Sequence, residues 1–530
     1  MPTPILRVSA GLALLLSAFM PQGVQAQEQA ADTLNALQAS LRHVEGRAEV
    51  QGVVNNGFTP LWMAANRYGL SCVEGNYGLL RGGVFHDTRH DVARRWRIGY
   101  GLDIAFTIGR KDHFKFYIQQ AYADFEYKKV RLSVGSKERP AQLKNNELSS
   151  GAQTLGINAR PIPEVRIELP EYLRLWSWGA VKGHFGYGMM TDGKFQRSHV
   201  APGVHYARHA FYHSKAAYVR LGNEARFPLT FEGGLEMACE FGGTIYNPLG
   251  STLPEIKMPS GIKEFFKAIY GGGSDATDGV YSNAGGNTVG SWLLSLKYHG
   301  KGWDVRAYYD RFFEDHSQMF PLIASRLDDG KYASGPLPGS STGKGYGYRD
   351  GLWGIEVTLP RNPAVTSLVY EHVSSAGQSG PIYHDHTAAL PDQVSAADNF
   401  YNHNLYQGWQ HWGQAIGNPL FLSPLYNGDS GSLEFTANRF RANHFGLSGD
   451  PLPTLHYRAL LSYITSWGTY NMPFDAPRHA ASFLLEARWS PEKLGRLCTK
   501  GWSLQGAFAF DRGSLTGNNT GFQLSLRKKF

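Results

Sequence analysis

Cysteine is scarce in this 530-residue chain: Cys72, Cys239 and Cys498 are the only three. One of them has no partner to pair with, and their scatter excludes a disulfide framework. Charge of one sign is also missing in bulk. Lys and Arg number 52 against 44 Asp and Glu, with no dense basic cluster, which argues against a nucleic-acid partner. After residue 26 there is no apolar run of the roughly 18 residues that a transmembrane helix requires. Gly-rich loops of the Walker or dinucleotide type are lacking, and no cofactor is expected. What is abundant points to strands. Apolar residues make up 42% of the chain, and 28 Tyr, 29 Phe and 12 Trp suit sheets better than helices.

The N-terminus sets the compartment. Arg7 precedes the apolar run Val8 to Met20, and Val24-Gln25-Ala26 places small residues where a signal peptidase reads them. Residues 1–26 therefore read as a secretory signal peptide, followed by a short periplasmic segment, 27–44. A membrane anchor is the alternative, but the run is too short for a hydrocarbon core of roughly 30 Å. No cysteine sits near the cleavage point, so a lipoprotein is not expected.

From residue 45 onward the dominant period is two. Phe522, Leu524 and Leu526 alternate with Gln523, Ser525 and Arg527; Leu229, Phe231 and Leu235 oppose Thr230, Glu232 and Glu236; Val165 and Ile167 oppose Glu164, Arg166 and Glu168. Full charges on one face and aromatics bracketing the other suit a barrel with a polar lumen and a lipid-facing exterior. In hydrocarbon every backbone group must pair internally, so an exported chain without apolar helices can span only as a closed barrel. The pattern predicts an all-β, transmembrane antiparallel barrel over 45–530, with about 18 strands and long extracellular loops. A fourteenth strand is expected at 431–442, and a turn at Pro170-Glu171. The long connections, 55–76, 138–161, 191–210, 242–290, 314–349 and 375–430, all follow odd-numbered strands. The expected placement is the cell outer membrane, among its lipids, with both termini periplasmic. Phe530 closes an amphipathic last strand and resembles the signal read by the outer-membrane barrel assembly machinery.

The loops are expected to carry function. Between 375 and 430 there is no Lys or Arg, and aromatic, His, Asn and Gln side chains dominate. Tyr401, His403, Tyr406, Trp409, His411 and Trp412 form a candidate polysaccharide-binding set, with ring faces for sugar C–H groups and imidazoles for hydroxyls. The alternative is that these rings pack the loop into a lid. His384-Asp385-His386 and Glu314-Asp315-His316 lack the spacing of a zinc or calcium site, so no metal is expected. Ser214 follows His213, but no nucleophile, base and acid can be assembled from spacing, and the chain is not expected to be an enzyme.

Three segments, Thr59 to Leu70, Gly135 to Pro140 with Leu143 to Leu148, and Tyr401 to Gly408 with Gly417-Asn418-Pro419-Leu420, resemble the Wzi-type capsule assembly proteins in the form carried by Bacteroidetes. The resemblance runs from about 45 to 530. It implies an 18-stranded outer-membrane barrel acting as a lectin that holds capsular or other surface polysaccharide at the cell. Two departures stand out: only Ala31 to Val44 could form a periplasmic helix, and Lys137 to Leu148 replaces the Trp-Trp-Gly-Pro-type stretch after the fifth strand. A porin and an outer-membrane hydrolase are the competing readings, the porin because such a barrel is wide enough for a channel.

Overall fold

A computed structural model describes residues 43–109, 115–249, 251–270, 286–314, 350–378, 399–428 and 430–530. The signal peptide, nearly all of segment 27–44, and the two His-containing triplets beyond Glu314 lie outside them. Eighteen strands form one sheet. They are β1 (Glu45–Asn55), β2 (Tyr77–His86), β3 (Trp96–Ile108), β4 (Phe116–Tyr127), β5 (Val130–Ser136) and β6 (Glu164–Trp176). Next come β7 (Gly179–Met189), β8 (Phe211–Gly222), β9 (Leu229–Phe241), β10 (Asn287–His299), β11 (Asp304–Glu314) and β12 (Gly351–Thr358). The last six are β13 (Ser367–Ser374), β14 (Phe440–Leu452), β15 (Leu455–Gly468), β16 (Pro473–Trp489), β17 (Trp502–Arg512) and β18 (Asn519–Lys529).

Each strand pairs antiparallel with its chain neighbours, and β1 pairs with β18 from Asn55↔Gly521 to Arg47↔Lys529. The sheet is closed and has no edge. That closure lets a strand sit in hydrocarbon, where each unpaired backbone group would cost several kcal/mol. On β18, Phe522, Leu524 and Leu526 face out and are exposed, while Gln523 and Ser525 face in and are buried. The Ser525 hydroxyl donates to Gln51 Oε1 across the seam at 3.1 Å. The outward apolar belt continues through Val50, Val84, Leu102, Ile104, Val165, Ile167, Val219 and Leu221. An exposed patch of that extent requires an apolar neighbour.

The antiparallel order places both ends of the barrel chain and the short turns at one rim, here the turn rim. The long connections leave from the opposite, loop rim. Trp96 and Tyr127 pack at 4.5 Å and Tyr298 and Trp303 at 5.4 Å near the turn rim. Trp176, Trp178 and Trp502 add exposed indoles there, as an interfacial girdle requires.

Two expectations need correction. Residues 431–439 are not strand: Leu433, Phe435 and Ala437 are buried in the lumen, and the fourteenth strand runs Phe440–Leu452. Their alternation reflects packing inside the barrel instead of a place in its wall. The turn expected at Pro170-Glu171 is also absent. β6 continues to Trp176 because the ladder with β7 slips between Leu169 and Leu173, and a bulge tolerates the missing N–H of Pro170.

Candidate functional site

Three long connections turn into the lumen and fill it, and they contain the three segments that carry the resemblance. The first includes α1 (Leu61–Ala64), whose residues are all buried. The Leu61 N–H donates to Asp511 Oδ2 at 3.1 Å, and the Trp62 indole donates to Ser462 Oγ at 3.1 Å. Arg67 pairs with Glu486 at 2.7 Å. The second connection, 137–163, runs the depth of the barrel. Lys144 pairs with Asp310 at 2.7 Å, Asn145 donates to Glu356 at 2.8 Å, and Arg458 donates to the Glu147 carbonyl at 2.8 Å. Ser149 Oγ and the Ser150 N–H both donate to Glu371 at 2.7 Å.

The third, 399–439, locks onto the other two. Trp409 donates from its indole to the Thr154 carbonyl at 2.9 Å. Tyr401 donates to the Gln153 carbonyl and accepts from the Asn418 N–H. Asn158 donates to the Ala415 carbonyl at 2.9 Å, Gln414 to the Ser71 carbonyl at 3.1 Å, and Tyr426 to the Thr59 carbonyl at 3.0 Å. Most of these bonds reach backbone carbonyls of irregular segments. A buried loop needs such partners because it has no ladder of its own.

Of the candidate binding residues, Tyr401, Tyr406, Trp409 and His411 are buried, at 1% exposure or less. Their rings present no free face: Tyr401 stacks on Phe421 at 4.0 Å, Trp409 lies beside Tyr212, and the Tyr406 hydroxyl donates to the Gly242 carbonyl. His403 and Trp412 keep partial exposure. The set is thus divided, with four members inside the plug and two at its surface.

Trp412 occupies an unusual position. Gln410–His411 and Gln414–Ala415 pair as a miniature hairpin, and Trp412 and Gly413 form its tip with φ of 58° and 76°. Both central residues in the left-handed region define a type I′ turn, where Asn-Gly is the favoured pair. A bulky residue there is strained by roughly 1–3 kcal/mol unless its surroundings hold it. Asp192, just before α2 (Gly193–His199), does so: its carboxylate accepts from Gln410 at 3.1 Å and from the Trp412 N–H at 3.2 Å. The Arg160 guanidinium lies 4.8 Å from the Trp412 ring and 3.8 Å from Tyr117. Phe195 closes one side at 5.7 Å. Arg160, Tyr117, Asp192 and Phe195 escaped the sequence reading; the only local signal was the Trp-Gly turn between two Gln-containing dipeptides.

Beneath the hairpin a polar cavity of about 100 Å³ is bounded by Arg139, Arg160, Glu164, Arg166, His184 and Glu236, among others. That space is enough for a few water molecules. His213 and Ser214 do not work together: adjacent on β8, they face opposite sides, Ser214 donating to Glu164 at 3.0 Å and His213 bonding the Gly186 carbonyl. Among the described residues no three His, Cys, Asp or Glu side chains gather as a metal site.

Burial lowers the basicity of the plug imidazoles. His403 is pushed down to about 4 and His411 and His205 also fall below their ordinary value, so all three are neutral at pH 7. The opened plug, with ordinary imidazoles, binds more protons between pH 6.5 and about 4. Plug stability is therefore complete above pH 6.5 and declines as pH falls through that window. Hydrogen exchange over 399–418, corrected for intrinsic rate, should accelerate between pH 7.5 and 5 while the wall strands stay protected. Equal plug protection at both values would contradict it.

No protein-family model matches the chain, and no curated protein matches it in sequence. Among solved structures it is similar to Wzi of Escherichia coli, an outer-membrane carbohydrate-binding β-barrel involved in group 1 capsule assembly. The match is 11% identical, has a TM-score of 0.52, and covers 97% of this chain and 91% of that one. It is also similar to OprD of Pseudomonas aeruginosa, at 8% identity and TM-score 0.43 over 92% and 94% of the two chains. OccK5 of the same organism matches at 8% and 0.43 over 93% and 99%. The fold is that of the outer-membrane β-barrels, closed, 18-stranded and antiparallel.

Proposed function

We propose that this chain is an outer-membrane glycan binder of the Wzi type, without enzymatic activity, holding capsular or other surface polysaccharide at the loop rim. The turn rim and both termini then face the periplasm, where barrel assembly machinery receives the Phe530 end. The observation that carries the reading is the strained, partly exposed Trp412 at the tip of a hairpin built on a filled lumen. A pore has no use for three interlocked plug segments, whereas a surface receptor needs a rigid platform. Arg160 and Phe195 hold the indole, its partly exposed surface supplies apolar contact for a sugar ring, and His403 offers a second polar contact. The carbohydrate binding ascribed to Wzi is in keeping with this. Tyr401, Tyr406, Trp409 and His411 serve the same surface from below, as the packing that holds the hairpin in place.

The test is Trp412→Asn. Asn is at home in the left-handed region, so the plug should keep or gain stability. Losing the ring removes a stacking contact of roughly 0.5–1.5 kcal/mol, up to about tenfold in single-site affinity. A polymer held by many barrels multiplies that loss, so cells should shed polysaccharide into the medium. If the variant retains polysaccharide like the parent, Trp412 is not the contact and the reading falls.

A further inference from the structure

The outer wall of β7, β8 and β9 near the loop rim carries two residues unsuited to lipid, His213 and Lys215, among apolar ones. On the outward register sit Tyr187, Phe211, His213, Lys215, Met237, Cys239 and Phe241, paired across the strands as Tyr187↔His213, Cys239↔His213 and Met237↔Lys215. Yet His213, Met237, Cys239 and Phe241 are at most 3% exposed. Cys239 and Phe241 pack with Ala268 of α3 (Ile262–Tyr270), which the connection after β9 lays against the outside of the barrel on β8 and β9. Phe265 inserts among Tyr187, Phe211 and Phe241 at 5.1–5.2 Å. Tyr187 donates to the Phe265 carbonyl at 2.6 Å, and Lys215 donates to the Ala268 carbonyl at 3.2 Å, where a helix C-terminus favours a cation.

With that face spent on the wall, α3 still exposes Ile262 at 80% and Phe266 at 60%, one turn apart on a shared side. Lys263 and Lys267 form the adjacent stripe. Exposed apolar side chains flanked by lysines are the pattern of a helix lying in the interfacial plane of a bilayer. The exposed apolar belt of the same wall, Val219, Leu221 and Phe231, continues toward the turn rim and adjoins the same lipid.

We propose that α3 is an interfacial lipid-contact helix: Ile262 and Phe266 enter the acyl region of the surrounding leaflet, and Lys263 and Lys267 bind the phosphates of its lipids. This contact requires the barrel to be inserted in a bilayer and is independent of glycan binding.

The experiment uses the full barrel in vesicles, with Cys498→Ser removing the exposed thiol and Phe266→Cys carrying an environment-sensitive fluorophore. Asn404→Cys in the same background is the aqueous control. Brominated phosphatidylcholine should quench the label at 266 and spare that at 404, and iodide should do the reverse. Iodide quenching at 266 equal to that at 404 would overturn acyl contact. Spin-labelled phosphatidylglycerol should quench the 266 label severalfold more than spin-labelled phosphatidylcholine. Lys263→Glu with Lys267→Glu should abolish that preference; an unchanged ratio would overturn the phosphate contact. Retained heat-modifiable migration confirms that each variant is a closed barrel.

Discussion

Trp409→Ala is expected to release the lumenal plug while leaving the barrel wall closed. The indole has no exposure, so its removal opens a large void, and such truncations cost roughly 3–5 kcal/mol. The Thr154 carbonyl also loses its donor inside the barrel, adding about 1–3 kcal/mol where water does not replace it. That total is comparable to the whole stability of a small domain, and the plug is a subdomain with its own opening equilibrium. Hydrogen exchange should show protection lost over 399–418 and 148–158 together, since these segments share their bonds. Heat-modifiable migration should not change, because the ladders of the wall involve neither segment. Ordinary plug protection in this variant would mean that the interlock described here is redundant.

The second large effect is expected from Glu371→Ala. This carboxylate is fully buried on β13 and accepts from Ser149, from the Ser150 N–H and from Tyr308 at 2.5 Å. Removing a buried charge that satisfies several donors costs about 3–5 kcal/mol, because those donors are then stranded. Segment 137–163 should detach from the wall, and planar-bilayer recordings should show channel openings where the parent is silent. Ser149→Ala, which removes one neutral donor, should cost only about 0.5–1.5 kcal/mol and give few openings. A silent Glu371→Ala barrel would show that the other anchors, Lys144–Asp310 among them, hold the segment unaided.

Much of this architecture was legible without coordinates. β9 lies at Leu229–Phe241, where the alternation of Leu229, Phe231 and Leu235 placed a strand, and the long connections leave one rim as their lengths suggested. The candidate site was legible only as a neighbourhood. Trp409 and Trp412 are three residues apart and alike in sequence, yet one is plug core and the other a surface tip. That difference comes from a type I′ turn held by Asp192, more than 200 residues away. Helix α3 escaped the sequence reading, although Ile262, Phe265, Phe266 and Ile269 recur at helical spacing.

What the sequence determined by itself was therefore the wall. A two-residue period is a local property: it states which face of a strand is polar, and closure follows because a spanning sheet tolerates no unpaired edge. What only the tertiary structure decided was where the loops go. The alternation at 431–439 looked like one more strand, and the aromatic loop read either as a packed lid or as an external binding surface. Their placement depends on bonds such as Trp62 to Ser462 and Trp409 to Thr154, which join distant parts of the chain. Such contacts leave no periodic trace in the residues near each partner, since each requires only a donor, an acceptor and a closed lumen that brings them together.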